Sequence, residues 1–192
     1  MAWNAFGVAC SDTVAPEATY QAWFAHFLMN EFDVLQVVRE VDFGSRHLDD
    51  SDRGRFVGSN LMLDIMVLRN PTVSLPRRAH LGLRGSDIVP NPRSGLGRLR
   101  EFLIISELKV ASTQDRGLEY GLVLRDFHKL DAILRAAQRH YPENPLPTAI
   151  VCILDNHPKH RMNREHLAAL LAKDPPQSDI QALIYPELHG LL

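Results

Sequence analysis

Two short runs constrain this chain more than anything else in it: LMLDIMVL, Leu61 to Leu68, and FLIISELKVAS, Phe102 to Ser112. Each is rich in Ile, Leu and Val and has the length of a strand buried on both faces. Yet Asp64 interrupts the first run, and Glu107 and Lys109 sit near the end of the second. An unpaired ionised group in such surroundings costs on the order of several kcal/mol, so something must compensate all three. In an extended strand residues two apart share a face, which sends Glu107 and Lys109 one way and Ser106, Leu108 and Val110 the other. If the two strands are neighbours, Asp64, Glu107 and Lys109 converge at one end of a sheet.

Carboxylates brought that close repel unless a cation lies between them. A hard divalent ion such as Mg²⁺ takes one or two carboxylates plus waters and phosphate oxygens. A lysine beside such an ion orients or deprotonates a water, or neutralises charge that develops on a phosphate under attack. The set therefore suits phosphodiester hydrolysis. The plainer alternatives are a strand-edge aspartate paired with a loop or an arginine, and a same-face Glu107–Lys109 ion pair on a strand end.

These residues resemble the PD-(D/E)XK, or restriction-endonuclease-like, nucleases, whose motif is an acid on one core strand and Glu-x-Lys on the next. Asp64 and Glu107-Leu108-Lys109 match it. Leu63 rather than Pro precedes the acid, and no Gln-x-x-x-Tyr element follows, Gln114 and Tyr120 being six apart. By order of elements the resemblance runs from Glu17 to Asp155. It implies an α/β fold, a mixed central sheet flanked by helices in the order α-β-β-β-α-β. It further implies that Asp64, Glu107 and the backbone carbonyl of Leu108 hold one or two Mg²⁺ ions, with Mn²⁺ able to substitute. Lys109 then positions or activates the attacking water, and a glutamate on the first helix acts through a metal-bound water. The segment PEATYQAWFAHFLMNEF offers Glu17 or Glu31 for that role; Glu17 is preferred because Glu17, Tyr20, Phe24 and Leu28 keep to one side of a helix. The implied activity is metal-dependent cleavage of nucleic acid, with DNA the expected substrate. The alternative is a catalytically inactive nuclease fold that binds nucleic acid or protein. Nucleases of this kind that cut both strands are frequently homodimers, and no feature here requires one.

A chain of 192 residues, 45% apolar and 23% charged, fits one soluble domain spanning the whole length. No run approaches the roughly 18 apolar residues of a membrane span. The start MAWNAFGVACSD lacks the basic and apolar regions of a signal peptide, which points to the cytoplasm. Cys10 and Cys152 are expected to be buried free thiols. The net charge is −2, but its distribution is uneven: residues 69–100 hold seven arginines against Asp87, six net positive charges, leaving eight net negative elsewhere. Proline and glycine punctuate that segment, so it reads as a long basic loop or insertion whose Arg77, Arg78 and Arg84 are candidates to contact a phosphate backbone. A solvated loop has the same composition.

Elsewhere the pattern predicts a helix from Glu17 to about Asn30, a strand over VLQVVREVDF, a polar connection over 44–60, and a helix within 116–139 ending before Pro142. A strand TAIVCILD, a short helix capped by Asn163, and DIQALIYP as a last strand or extended arm complete the order. Asp126 and Lys129 share a helix face; the pair resembles a D-x-x-K-L element of some small nucleases and brings Lys129 towards a phosphate, or is an ordinary surface pair. Ser112 and Gln114 either orient substrate or cap a helix. His157, His160 and His166 invite a zinc reading that their spacing does not favour. Asp155 at a strand end either reaches the same cleft or is a turn signal, the simpler reading, and Tyr20, Trp23 and Phe24 read as core rather than base-stacking residues.

Overall fold

The computed structural model describes residues 1–43, 48–56, 61–72 and 98–186. Both constraining runs are strands and they are neighbours. Five strands, β1 (Val37–Asp42), β2 (Met62–Leu68), β3 (Phe102–Val110), β4 (Thr148–Leu154) and β5 (Ile180–Tyr185), form one sheet in sequential order. The first three pair antiparallel, whereas β3, β4 and β5 run parallel. Parallel neighbours need a crossover. Helix α4 (Tyr120–His140) lies between β3 and β4 in the chain, and α5 (Arg164–Lys173) between β4 and β5.

Period-two alternation divides the apolar side chains between two cores, one on each face of the sheet. Ile65 and Val67 of β2, Leu108 and Val110 of β3, and Cys152 and Leu154 of β4 pack on α1 (Ala2–Cys10) and α2 (Glu17–Leu28). Met66, Leu68, Ile105, Val151 and Ile153 pack instead with Phe127, Leu130, Ile133 and Leu134 of α4. The result is an α/β protein with helices on both faces of a mixed sheet.

Two helices depart from the expected order. The segment over 44–60 contains α3 (Asp50–Arg55), whose Asp52 is buried against Arg135. The N-terminus forms α1, held by a cluster of rings: Trp3–Phe6 at 5.5 Å, Trp3–Phe24 at 5.3 Å and Phe6–Phe24 at 5.1 Å between centroids. Gly7 is what lets α1 approach the sheet, since a Cβ there would lie 2.4 Å from the Tyr185 ring. Tyr20 and Phe24 are core, as expected, but Trp23 is not: it is 40% exposed, on the side of α2 turned away from the sheet's core. Both cysteines are free and buried, and burial raises the Cys10 thiol to about 11.

Asn163 caps α5, its side chain accepting from His166 N. Helix α4 begins at Tyr120, later than the apolar pattern alone suggests, because Gly117 turns the chain at φ +78° and Gln114 Oε1 takes the Glu119 N–H at 2.7 Å. Arg77, Arg78 and Arg84 lie outside the described residues. No helix among the described residues is long and apolar enough to cross a membrane.

Candidate active site

The β2–β3 pairing ends at Ile65 opposite Ser106. One step further in the same register sets Asp64 against Glu107, and it is here that backbone pairing gives way to side chains. Asp64 Oδ2 accepts the Leu108 N–H at 2.8 Å, and Asp64 Oδ1 accepts from Gln21 Nε2 of α2 at 2.9 Å. The aspartate thus replaces a backbone acceptor at the point where the ladder stops.

Glu107 is 2% exposed, the most deeply buried acid in the site. Lys129 of α4 meets it, Nζ to Oε1 at 2.7 Å, and also donates to the Met62 carbonyl at 3.0 Å. Two residues along β3, Lys109 Nζ lies 3.0 Å from Asp126 Oδ2 of α4 and 3.4 Å from Glu17 Oε1 of α2. Its own neighbour's carbonyl, Leu108 O, is 3.5 Å away. Asp126 also faces Lys129 at 3.6 Å. Two helices from opposite faces of the sheet therefore close on one strand end.

Four carboxylates, Glu17, Asp64, Glu107 and Asp126, share this cluster with two ammoniums, an excess of negative charge. The electrostatics follow from that count and from burial. Burial and the facing Asp64 hold the Glu107 carboxyl well above the usual carboxylate range, against the pull of Lys129. Burial also raises Asp64, although the Leu108 N–H and both lysines favour its charged form. Burial alone would lower Lys109, but Asp126, Glu17, Asp64 and Glu107 outweigh it and the ammonium is held above its ordinary value. Lys129 is raised in the same way, Glu107 being the chief cause that overcomes burial. Glu107 Oε1 and Asp126 Oδ2 are buried without a well-aligned hydrogen bond, despite the nearby ammoniums.

The donor set suits a hard cation. Two facing carboxylates and a carbonyl are oxygen ligands, and a buried carboxylate oxygen with spare lone pairs is what such an ion completes. Among the described residues no group of three or more His, Cys, Asp or Glu side chains forms a ready cage. Mg²⁺ does not require one, since it keeps several waters and binds through one or two carboxylates.

The structure brings Glu17, Asp64, Glu107, Leu108 and Lys109 together. The remaining sequence candidates divide. Asp126 and Lys129 are not a surface pair: Asp126 is buried, and Lys129 is turned inward onto Glu107 and the Met62 carbonyl. Gln21 had no signal beyond a polar residue on an otherwise apolar helix side. Glu31 is exposed and borders an apolar pocket under α1 and α2. Gln114 Oε1 accepts the N–H of Glu119, the residue before α4, and Ser112 Oγ lies 2.9 Å from the Tyr20 hydroxyl. Asp155 Oδ1 accepts the Met162 N–H at 3.1 Å, a turn role. His157 Nδ1 accepts two backbone N–H groups, and the His166 ring packs on Tyr120. Comparison with protein-family models, with curated proteins and with solved structures finds no match.

Proposed function

We propose that this protein is a divalent-metal-dependent nuclease of the restriction-endonuclease-like kind, acting on nucleic acid and in the first instance on DNA. The observation that carries the reading is the meeting of Asp64, Glu107 and Lys109 on adjacent strands at one buried sheet end, with Glu17 arriving from α2. The order α2-β1-β2-β3-α4-β4, with α3 inserted between β1 and β2, supports the same assignment. Asp64, Glu107 and the Leu108 carbonyl would hold Mg²⁺ or Mn²⁺, which when bound supplies Lewis-acid stabilisation of the scissile phosphate.

The chain's own groups have separable tasks. Gln21 and the Leu108 N–H fix the Asp64 carboxylate by both oxygens. Lys109, held as an ammonium by its acidic neighbours, has no free base to offer. Its task is to orient the attacking water and offset the charge gained by the phosphoryl oxygens. Glu17, the more exposed partner of Lys109, is the carboxylate with access both to that ammonium and to solvent, and so the acceptor for the water's proton.

The test is cleavage of labelled DNA and RNA by purified protein with Mg²⁺ or Mn²⁺. Lys109→Ala should lose at least about a hundredfold in rate, as removal of one electrostatic stabiliser does elsewhere, with metal binding by calorimetry retained. Equal cutting by wild type and Lys109→Ala would sink the mechanism. A second reading is favoured by the pairing of Lys109 and Lys129 with the acids: an inactive fold whose charges satisfy one another. Absence of Mn²⁺ binding together with measurable DNA affinity would select it.

A further inference from the structure

The two carboxylates of the proposed metal site are held in different ways. Asp64 is fixed: its Oδ1 accepts from Gln21 Nε2 at 2.9 Å and its Oδ2 from the Leu108 N–H at 2.8 Å, donors anchored in α2 and in the backbone of β3. Each of those oxygens keeps a lone pair for a cation. Glu107 is held by charge instead. Lys129 Nζ stands 2.7 Å from its Oε1, yet no well-aligned hydrogen bond reaches that buried oxygen. The ammonium directs its hydrogen bond to the Met62 carbonyl of the neighbouring strand, at 3.0 Å.

A hard divalent ion sits about 2.0–2.6 Å from its oxygen ligands. On Glu107, Lys129 Nζ therefore stands nearly where such an ion would. Water screens the spot little, the glutamate being 2% exposed and the lysine side chain 13%. An ammonium and a dication on one carboxylate repel strongly in such surroundings, so each tends to exclude the other. The lysine has a second berth. Asp126, one turn earlier on α4, presents Oδ1 at 3.6 Å from the same Nζ. That acid is buried, and its Oδ2 also lacks an aligned hydrogen bond although Lys109 Nζ is 3.0 Å away. A flexible four-carbon stem lets the Lys129 ammonium turn from Glu107 to Asp126 without moving the helix. Lys109 is placed differently, since the carboxylates it meets, Asp126 and Glu17, lie outside the proposed ligand set.

We infer that Lys129 is a built-in competitor for the metal: in the metal-free protein it occupies Glu107, and a divalent ion enters by displacing it onto Asp126. The inference rests on the metal site of the nuclease reading above and deepens it, because it makes loading conditional. With the open arrangement populated at about 1–10%, the apparent Kd for the ion stands about ten- to a hundredfold above that of the open site.

The experiment uses Mn²⁺ as the probe and reads binding without cleavage. Crystals of the wild-type chain soaked in Mn²⁺ should show the ion between Asp64 and Glu107, with Lys129 Nζ moved from Glu107 to Asp126. The ion in that place with Lys129 still against Glu107 would overturn the competition. Calorimetry then compares wild type with Lys129→Arg, which keeps the charge on Glu107 but grips a carboxylate through two parallel N–H groups and yields it less readily. The variant should bind Mn²⁺ about tenfold more weakly, its open fraction being smaller by that factor. Affinity equal to or tighter than wild type would overturn the competition even where the protein cuts DNA. Conversely, displacement in the crystal and weakened binding by Lys129→Arg, in a protein that cuts neither DNA nor RNA, would overturn the nuclease reading and leave the competition standing. A wild type that binds no Mn²⁺ at millimolar concentration would overturn both.

Discussion

At the scale of single residues, the decisive comparison is between Lys129 and the glutamate it covers. Glu107 is almost wholly buried and its ammonium partner is 13% exposed, so solvent screens the pair little. Removing one member of a buried pair costs more than removing both, because the survivor is left desolvated and must either stay charged or take up a proton and sit unpaired. Lys129→Met should therefore destabilise the metal-free protein by about 3–5 kcal/mol, whereas Lys129→Met with Glu107→Gln should recover most of that loss. Urea unfolding of the four proteins reads the coupling; a double variant as unstable as Lys129→Met would contradict it. The Asp64, Glu107 and Lys109 cluster was legible in sequence because charges inside greasy strands are anomalous wherever they occur. Asp126 and Lys129 were harder to read. Their spacing on a helix is equally that of a solvated pair, and only the docking of α4 on the sheet turns that face inward. Gln21 was invisible for a related reason, since its value lies wholly in the Asp64 oxygen it reaches.

At the scale of elements, side chains at the seams decide how helices are held. His128 of α4 contacts Asp174, the residue that ends α5, with Nε2 to Oδ2 at 3.1 Å. Burial, with Arg55 of α3 adding to it, holds this imidazole below its ordinary value, and Asp174, Asp131 and Asp52 offset only part of the effect. A depressed histidine binds fewer protons folded than unfolded, so the stability it contributes is present above about pH 6.5 and is lost as pH falls through the lowered folded value. The difference in unfolding free energy between wild type and His128→Gln should accordingly shrink in that window, by at most about 1.4 kcal/mol per pH unit. A difference that stays flat from pH 7.5 to 5 would refute this. The α1–β5 seam makes a second prediction. Ala ordinarily favours a helix over Gly by about 1 kcal/mol, but at Gly7 a methyl would meet the Tyr185 ring at 2.4 Å. The clash should win, and Gly7→Ala should lower stability by about 1–3 kcal/mol, as overpacking does. A raised melting temperature would show that α1 shifts freely. Neither α1 nor α3 was expected from sequence: α1 lacks a capping side chain and carries a central glycine, so its helicity depends on the ring cluster it packs into rather than on local preference.

For the whole molecule, the proposed site joins both cores. Its acids arrive from two strands and from helices on opposite faces, so a cation bound there would cross-brace the layers. A ligand that binds only the folded state stabilises by mass action, about 2.7 kcal/mol at a hundred times its dissociation constant. For a domain of this size that is a rise in melting temperature of roughly 5–10 °C. Mn²⁺ should give such a rise in wild type and none in Asp64→Asn or Glu107→Gln; the same rise in all three would place the metal elsewhere. By itself the sequence determined the strands, their two-faced burial and the anomaly of three ionisable groups within them, because apolar periodicity and the cost of buried charge are local properties readable one residue at a time. Only the tertiary structure decided that Asp64 stands opposite Glu107, that α2 supplies Glu17 and Gln21, and that α4 brings Asp126 and Lys129. Strand register and helix docking depend on how both cores fill at once, and no single segment carries that information.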